Sequence, residues 1–480
     1  MGIYCIGIHS IYFLGGDLLL QPHIRKMTEG KPIYLIVTFA LPLMLGNMFQ
    51  QLYSVVDSMI VGKTLGVASL AALGAASWPN WIIIGMVQGL SQGISILLAR
   101  SFGKGDDREL RKGFGNSIVL SAVFAVTLMV LANLLVIPVL HLLDTPHELM
   151  SSSLSYLRVA FSGIIIITAY NLLAATLRAL GDSRTPLYAM IGASLVNVVL
   201  DLLFVRVFHW GIAGAAWATV AAQAFSMLVC LPAVLRINQL RTTRADYNPD
   251  WHLIKHMLIL STPMVLQNFL IAGGGMIVQS VANSFSVTFI AGFTAGAKLH
   301  GVLEIATSSF GFAMTTYVAQ NMGAERFDRI HSGVRSAIWA AVATACVIAA
   351  VMLLLGRTIL SGFVSGTPEE TAATIDVAYR YLAIMCYCLP VLYLLYVFRS
   401  STQGLGNTFL PMVSAVAELL MRTGSALILA DMIGETGLFI AEVAAWFGAD
   451  FVLIGSYLYT VRKVENKYNH KTDALLMQAD

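Results

Sequence analysis

The chain repeats itself, and the repeat is the strongest constraint on its fold. LPLMLGN at residues 41–47 returns as TPMVLQN at 262–268, with the proline and the asparagine in the same places. Later matches keep a similar offset, since LGDSRTP at 180–186 is answered by LGNTFLP at 405–411. A duplicated array of long apolar segments is typical of membrane transporters, whose two halves move against each other around a shared site. The repeat therefore predicts two similar halves that alternate.

The composition places both halves in a lipid bilayer. Hydrophobic residues make up 57% of the chain and charged residues 11%. Apolar stretches of about 20 to 30 residues recur along it, which is long enough for membrane-spanning helices. We therefore predict an all-α integral membrane protein with twelve transmembrane helices in two repeated six-helix bundles. The predicted segments are 33–61, 68–98, 114–142, 153–177, 186–208, 212–237, 256–281, 287–319, 332–362, 373–402, 408–430 and 437–461.

The lysine and arginine residues predict the orientation. With a cytoplasmic N-terminus, 22 of the 29 fall on cytoplasmic loops or tails, Arg399 among them, as the positive-inside rule requires. The exceptions are Lys63, Arg206, Arg357 and Arg380 outside, with Arg158, Lys298 and Arg422 inside segments. We therefore predict a multi-pass protein of the inner cell membrane with both termini cytoplasmic. The net charge of +3 follows from this bias and indicates no nucleic-acid partner.

The segments predict a division into two lobes. The predicted parts are an N-terminal extension at 1–32, an N-lobe at 33–237, a cytoplasmic linker at 238–255, a C-lobe at 256–461 and a cytoplasmic tail at 462–480. The apolar run at 11–20 lacks the basic region and cleavage site of a secretory signal. Met27 resembles a natural start, so residues 1–26 are predicted to be an upstream extension or disordered.

Several motifs predict packing and no chemistry. Gly85, Gly89 and Gly93 form two overlapping GxxxG motifs, which predict close helix packing. The tripeptide at 62–64 ends like a phosphate-binding loop, but Asp57 stands where that loop needs a glycine. No nucleophile and base pair or metal-ligand cluster is evident, which argues against an enzyme. We expect no cofactor.

Carboxylates within predicted membrane segments carry the most information. An ionised aspartate there costs about 2.5–3.5 kcal/mol on insertion scales. At about 1.5 Å per residue, Asp57 and Asp201 both lie roughly 7 to 11 Å inside the outer boundary. Asn197, four residues before Asp201, shares its helix face. Thr219 in the sixth segment reaches the same level, so two carboxylates, an amide and a hydroxyl are predicted to converge in the N-lobe.

Such a cluster suits a proton or a sodium ion. Burial and mutual repulsion favour protonation of carboxylates, and hard oxygen ligands suit a small cation. A hydrogen-bond network that only fixes packing is the alternative, and it is the stronger interpretation for Thr219 taken alone. The repeat favours the ion site, because the equivalent positions in the second half are Val278, Arg422 and Ala426. The acidic cluster is therefore predicted in one lobe only.

The second half also has polar residues, but the sequence predicts their functions less specifically. Glu418 and Arg422 are four apart and predict an intrahelical ion pair. Lys298 and Glu304 point to different faces, so each needs a partner from another helix. Glu442 and Asp450 have no assigned role, and no substrate-binding residue is identifiable.

Several motifs together resemble a known family. They are VVDSMIVG at 55–62, ARSFGKGD at 99–106, RALGDSRTP at 178–186 running into SLVNVVLDLLFV at 194–205, and GIAGAAWATV at 211–220. Over residues 30–465 the chain resembles the multidrug and toxic compound extrusion (MATE) family, especially its prokaryotic branch related to the DNA-damage-inducible F protein. The resemblance implies two six-helix bundles facing each other in a V and cation-coupled export of amphipathic, often cationic, small molecules.

The resemblance also implies site residues. By motif match the family's cation site falls on Asp57, Asn197, Asp201 and Thr219, and a hinge of the first helix falls on Pro42. Another branch has an acidic residue early in the seventh segment, where this chain has Gln267 and Asn268, so a second-lobe coupling site is not implied.

We therefore expect a monomeric antiporter that exchanges H⁺ or Na⁺ for an amphipathic small molecule. A flippase of lipid-linked precursors with a related duplicated fold is the alternative. Such a flippase needs a basic cavity for a pyrophosphate, whereas Arg158, Lys298 and Arg422 are few and scattered.

Overall fold

The computed structural model describes residues 22–143, 145–362 and 368–479, which form fourteen α-helices. A π-helical turn, Leu202–Val207, extends the sixth. The helices are α1 (Pro32–Leu65), α2 (Val67–Lys104), α3 (Asp107–Leu142), α4 (His147–Ser162), α5 (Ile164–Ala179), α6 (Arg184–Asp201), α7 (Gly211–Leu235), α8 (Trp251–Ala282), α9 (Val287–Gly323), α10 (Phe327–Ser361), α11 (Pro368–Tyr387), α12 (Leu389–Gly404), α13 (Phe409–Ile433) and α14 (Glu435–Ala479). The apolar run at 11–20 lies outside the described residues.

The described helices match the twelve predicted segments. Nine are long and apolar enough to cross a membrane, and the bent pairs α4–α5 and α11–α12 add two further crossings. The 37-residue α9, which contains Lys298 and Glu304, accounts for the twelfth segment. The predicted all-α fold with two repeated bundles is thus confirmed.

The two bends are features that the sequence segments did not predict. The angle between α4 and α5 is 48°, and that between α11 and α12 is 51°. The first bend falls at Gly163, where a Cβ would lie 2.5 Å from Val220 Cγ2 of α7. The second falls just before Pro390, whose ring nitrogen cannot donate a helical hydrogen bond.

The helices begin and end in polar loops. Asp106 caps α3 by accepting a hydrogen bond from the Glu109 backbone N–H at 2.9 Å, and Asp250 caps α8 through His252 N–H at 3.0 Å. Gly105 ends α2 with φ of 74°, a conformation that favours glycine. Such caps lie where water is available, because backbone groups inside a bilayer must be satisfied within the helix.

The crossings form two lobes, α1–α7 and α8–α14. We call the side of the bundle on which α1 begins the N-terminal side. The segment between the lobes folds onto the N-lobe, since Asn116 of α3 donates to Asp246 O at 3.2 Å and accepts from Asp250 N–H at 2.7 Å. The lobe boundaries at 33–237 and 256–461 remain a prediction.

The repeated asparagines join the two lobes. Asn47 of α1 donates to Ser309 Oγ of α9 at 3.3 Å. Asn268 of α8 donates to the Gly85 carbonyl oxygen of α2 at 2.8 Å. Each copy of the repeat thus sends its asparagine across to the other lobe.

The predicted GxxxG glycines form a seam between α2 and α8. A Cβ built at each glycine of α2 shows how closely the facing helices approach. The nearest atom of α8 or α9 would lie at 2.0 Å for Gly103, 2.3 Å for Gly93, 2.8 Å for Gly89 and 3.4 Å for Gly85. This confirms the predicted close packing. Because the seam is tightest near the N-terminal side and loosens away from it, the two lobes diverge towards the opposite side.

The apolar core shows the same divergence. One buried cluster contains the start of α1, from Leu35 to Leu43, packed with the C-lobe. A second contains the N-terminal-side half of α2, from Leu90 to Phe102, with Leu253, Met257 and Ala319 of the C-lobe. In both clusters, the contacts between the two lobes therefore lie at the N-terminal side.

The chain before α1 also crosses this junction. The Met27 N–H donates to Gln320 Oε1 of α9 at 2.8 Å, and Gln320 Nε2 donates to Ala179 O of α5 at 2.8 Å. Arg329 Nη2 donates to Gly30 O at 2.9 Å. Of the predicted N-terminal extension, residues 1–21 lie outside the described residues.

We predict that Gly93→Ala destabilises the protein by about 1–3 kcal/mol, because the new methyl group overpacks the seam. The added Cβ would lie 2.3 Å from Ser261 Oγ and 2.7 Å from Ser261 N. Reversible unfolding in mixed micelles measures the change. Gly74→Ala on the same helix is the control, since its Cβ has no atom within 4 Å among the described residues. Equal stability of both variants would contradict a tight seam.

Candidate functional site

The N-lobe brings together the two aspartates singled out in the sequence. Asp57 of α1 and Asp201 of α6 are both buried. Their carboxyl groups lie close enough to share a hydrogen bond when one is protonated. Asn197, one turn before Asp201 on α6, is also buried. Three of the four predicted residues therefore lie in one buried region of the N-lobe.

Thr219 of α7 is placed less favourably. Its hydroxyl group donates to the Ala215 carbonyl oxygen of its own helix at 3.1 Å. In the described part of the chain no hydrogen bond joins it to Asp57, Asn197 or Asp201. The hydroxyl oxygen keeps lone pairs that can accept or ligate.

Partnerless polar atoms are the main feature of this site. Asp57 Oδ1, both side-chain polar atoms of Asn197 and both carboxylate oxygens of Asp201 are buried without a hydrogen-bond partner among the described residues. Buried polar atoms that serve only packing are normally paired, because an unpaired one costs about 1–3 kcal/mol. The oxygens among these atoms can accept a hydrogen bond or ligate a cation.

Two tyrosines complete the polar surroundings, and the sequence reasoning missed them. Tyr53, one turn before Asp57, faces Gln50, Gln223 and both aspartates. Tyr156 of α4 also faces the aspartates. Aromatic residues are common in membrane helices, so composition does not mark them. The spacing of four between Tyr53 and Asp57 was the available signal.

An apolar layer covers the site on the side away from the N-terminal side. Val61, Val205 and Ala215 form a buried cluster of their own. Val61 and Val205 lie four residues after Asp57 and Asp201. Ala215 lies four residues before Thr219 on α7, which runs in the opposite direction, so all three lie further from the N-terminal side. Val205 belongs to the π-helical turn that follows Asp201, and π-helical turns are frequent at functional sites.

The C-lobe contains a buried charge network. Arg422 donates to Glu418 at 3.0 Å, which confirms the predicted intrahelical pair. Glu418 also pairs with Arg399 at 2.7 Å, and Arg422 pairs with Glu442 at 3.1 Å. Arg399 and Glu418 are each about 5% exposed. The prediction that places Arg399 in a cytoplasmic loop is therefore wrong, because its guanidinium group turns inward to a buried carboxylate.

The C-lobe positions equivalent to Asp57 and Asp201 carry no acidic residue. Val278 and Ala426, at the positions equivalent to Asp57 and Asp201, are buried and apolar as expected. The C-lobe instead carries its carboxylates at other positions, and Glu304 of α9 faces Arg422 and Glu418. Lys298 is exposed.

The donor set of the N-lobe site fits a proton or a sodium ion. Across residues 22–143, 145–362 and 368–479, no three His, Cys, Asp or Glu side chains are grouped around a common metal position. The site offers carboxylate, amide and hydroxyl oxygens, which are the ligands of hard cations.

Comparison with known proteins identifies the family. The family model MatE matches residues 42–203 and 263–427, one stretch in each lobe. The chain belongs to the MATE family. Members of this family are transporters and not enzymes, so the chain is a multi-pass membrane transporter.

Individual MATE proteins resemble the chain over most of its length. The probable multidrug resistance protein YpnP of Bacillus subtilis is 32% identical over 63% of this chain and 68% of its own. The probable multidrug resistance protein YoeA of the same organism is 25% identical over 79% and 82%. A solved structure described as an outward-facing multidrug resistance MATE family transporter of the MOP superfamily superimposes with a TM-score of 0.84 at 22% identity, over 92% of this chain and 98% of that one.

We predict that Arg399→Met destabilises the protein by about 3–5 kcal/mol, because it leaves a buried carboxylate short of a partner. The double variant Arg399→Met/Glu418→Gln should recover most of this loss, since the Arg422–Glu442 pair remains complete. Unfolding in mixed micelles tests both variants. A double variant that is no more stable than the single one would show that the two residues do not act as a pair.

Proposed function

We propose that this MATE transporter is an antiporter that binds H⁺ or Na⁺ at Asp57 and Asp201 and exports an amphipathic, often cationic, small molecule. The observation that carries the proposal is the pair of adjacent buried carboxylates, three of whose four oxygens are buried without a hydrogen-bond partner among the described residues. A bound cation would supply the missing partners. Asn197 would ligate it through its amide oxygen, and Thr219 through its hydroxyl group.

The position of α1 supports coupling between the cation and the lobes. The start of this helix packs in the shared cluster with the C-lobe, whereas Asp57 near its other end packs in the N-lobe. A change at Asp57 therefore acts on a helix that belongs to both lobes. Pro42, which removes one backbone hydrogen bond about four turns before Asp57, would be the hinge.

The apolar layer supports one route for the cation. Val61, Val205 and Ala215 separate the aspartates from the far end of the N-lobe. On the other flank Tyr53 and Gln50 are polar and only partly buried. The cation would therefore enter past Tyr53, from the space between the diverging lobes. That space is where a substrate would also bind, so the two ligands would compete for one conformation.

Charge supports a cationic substrate. Glu304 of the C-lobe is partly exposed and has no ion pair within 4.0 Å among the described residues. A partly exposed carboxylate without an ion-pair partner attracts a positive group and repels an anion. We further propose that the transporter is a monomer of the inner membrane with its N-terminal side in the cytoplasm.

We predict that Asp57→Asn and Asp201→Asn each abolish uphill export, because an amide cannot exchange a proton and has no negative charge to balance sodium. Asn197→Ala should weaken coupling only in part, since it removes a neutral ligand. Export of a cationic amphipathic dye from proteoliposomes, under separately imposed pH and sodium gradients, measures the effect and identifies the ion. The control is Asp431→Asn, an exposed carboxylate of the C-lobe. Full uphill transport by both aspartate variants would reject the site.

We also predict antagonism between cation and substrate. A ligand shifts a conformational equilibrium only through its different affinity for the two states. Substrate affinity in detergent should therefore fall as the pH drops, because proton loading of Asp57 and Asp201 disfavours the substrate-holding state, or as sodium rises. The dependence should vanish in the double Asp→Asn variant. Pro42→Ala should keep the antagonism at equilibrium while slowing turnover. Constant affinity across both titrations would return the aspartates to a packing role.

A further inference from the structure

The C-lobe network has more carboxylates than its arginines can neutralise. Glu418 and Glu442 pair with Arg399 and Arg422, so these four side chains are neutral together. Glu304 and Asp450 interact with the same network but form no ion pair within 4.0 Å in the described chain. Two negative charges are left over inside a membrane-spanning bundle.

Asp450 of α14 is the more enclosed of the two. Its side chain faces Arg399 and Glu418, and the residue is only 6% exposed. Asp450 Oδ1 is buried without a hydrogen-bond partner among the described residues. It lies fifteen residues from the start of α14, roughly 22 Å along the helix, and eleven residues before the end of the predicted membrane segment 437–461.

An uncompensated carboxylate at this depth is costly. Insertion scales give about 2.5–3.5 kcal/mol for an ionised aspartate in the middle of a membrane helix. The cost falls when the carboxylate takes up a cation. We propose that Asp450 is a second site for a monovalent cation, a proton or a sodium ion, which is separate from the Asp57 and Asp201 site.

The charged groups around Asp450 act in opposite directions on its affinity for a cation. Arg399 and Arg422 favour the ionised carboxylate, whereas the carboxylates of Glu304, Glu418 and Glu442 favour the cation-bound form. His300 of α9 and Tyr381 of α11 belong to the same interior. On α8 the titratable side chains His252, Lys255 and His256 all lie within its first two turns. The opposing charges leave Asp450 free to exchange its cation and not to hold it permanently.

This inference does not depend on the proposed coupling role of the N-lobe. Asp450 and Asp201 lie in different lobes and share no contacting residue in the interactions described above. The C-lobe would therefore bind a cation even if Asp57 and Asp201 served only packing. If both sites are occupied in the cycle, more than one cation would accompany each substrate molecule.

Infrared difference spectroscopy between alkaline and acidic pH tests the site. The measurement uses the full-length protein with Asp57→Asn and Asp201→Asn, so that N-lobe carboxylates cannot contribute. We expect a titrating carboxylic-acid band that is lost when Asp450→Asn is added. Asp450→Glu should keep a titrating band at a shifted frequency, which guards against simple misfolding. The control Asp431→Asn, on the exposed face of α13, should leave the band unchanged.

Sodium titration at constant pH separates the two cations. Disappearance of the Asp450-dependent band on adding sodium would identify sodium as a ligand, and insensitivity would identify the proton alone. A spectrum that Asp450→Asn leaves unchanged would overturn the proposal. So would an Asp450-dependent band that persists at every pH and sodium concentration, because that result makes Asp450 a permanently neutral residue.

Discussion

The cost of an unpaired charge in the bilayer shapes both lobes of this protein. Each lobe buries carboxylates, but they are accommodated in different ways. The N-lobe places Asp57 and Asp201 side by side and leaves three of their four oxygens without protein donors among the described residues. The C-lobe places Glu418 between two arginines at 2.7 and 3.0 Å. On the proposed function the first arrangement takes up a mobile cation, whereas the second is largely satisfied by the protein itself.

Helix α1 connects this electrostatic difference to the junction between the lobes. Its first turns pack with the C-lobe, and Asn47 donates a hydrogen bond to Ser309. Asp57 then lies two to three turns further along, inside the N-lobe. A rigid seam at Gly89 and Gly93 holds the lobes together while their other ends diverge. The arrangement suits rocking about the seam, because close backbone contact leaves little freedom to slide.

Several features of the fold and the site could be predicted from sequence because they depend on periodicity and position. The twelve segments follow from apolar length, and the glycine seam follows from GxxxG spacing. Asp57, Asn197 and Asp201 follow from helical face and depth. Tyr53, Tyr156 and the apolar layer at Val61, Val205 and Ala215 could not be predicted with them, since ordinary membrane residues acquire a role only through what they face.

The sequence alone determined that the chain crosses a membrane twelve times in two related halves, because local hydrophobicity and the repeat need no knowledge of neighbours. It also marked the aspartates of the N-lobe. Only the tertiary structure decided which charges pair between helices, although the Glu418–Arg422 pair within α13 follows from spacing. Arg399, Glu418, Arg422 and Glu442 lie on three helices, α12, α13 and α14. Their pairing depends on how those helices pack, and for that reason Arg399 resembled a loop residue in the sequence but is a buried partner in the fold.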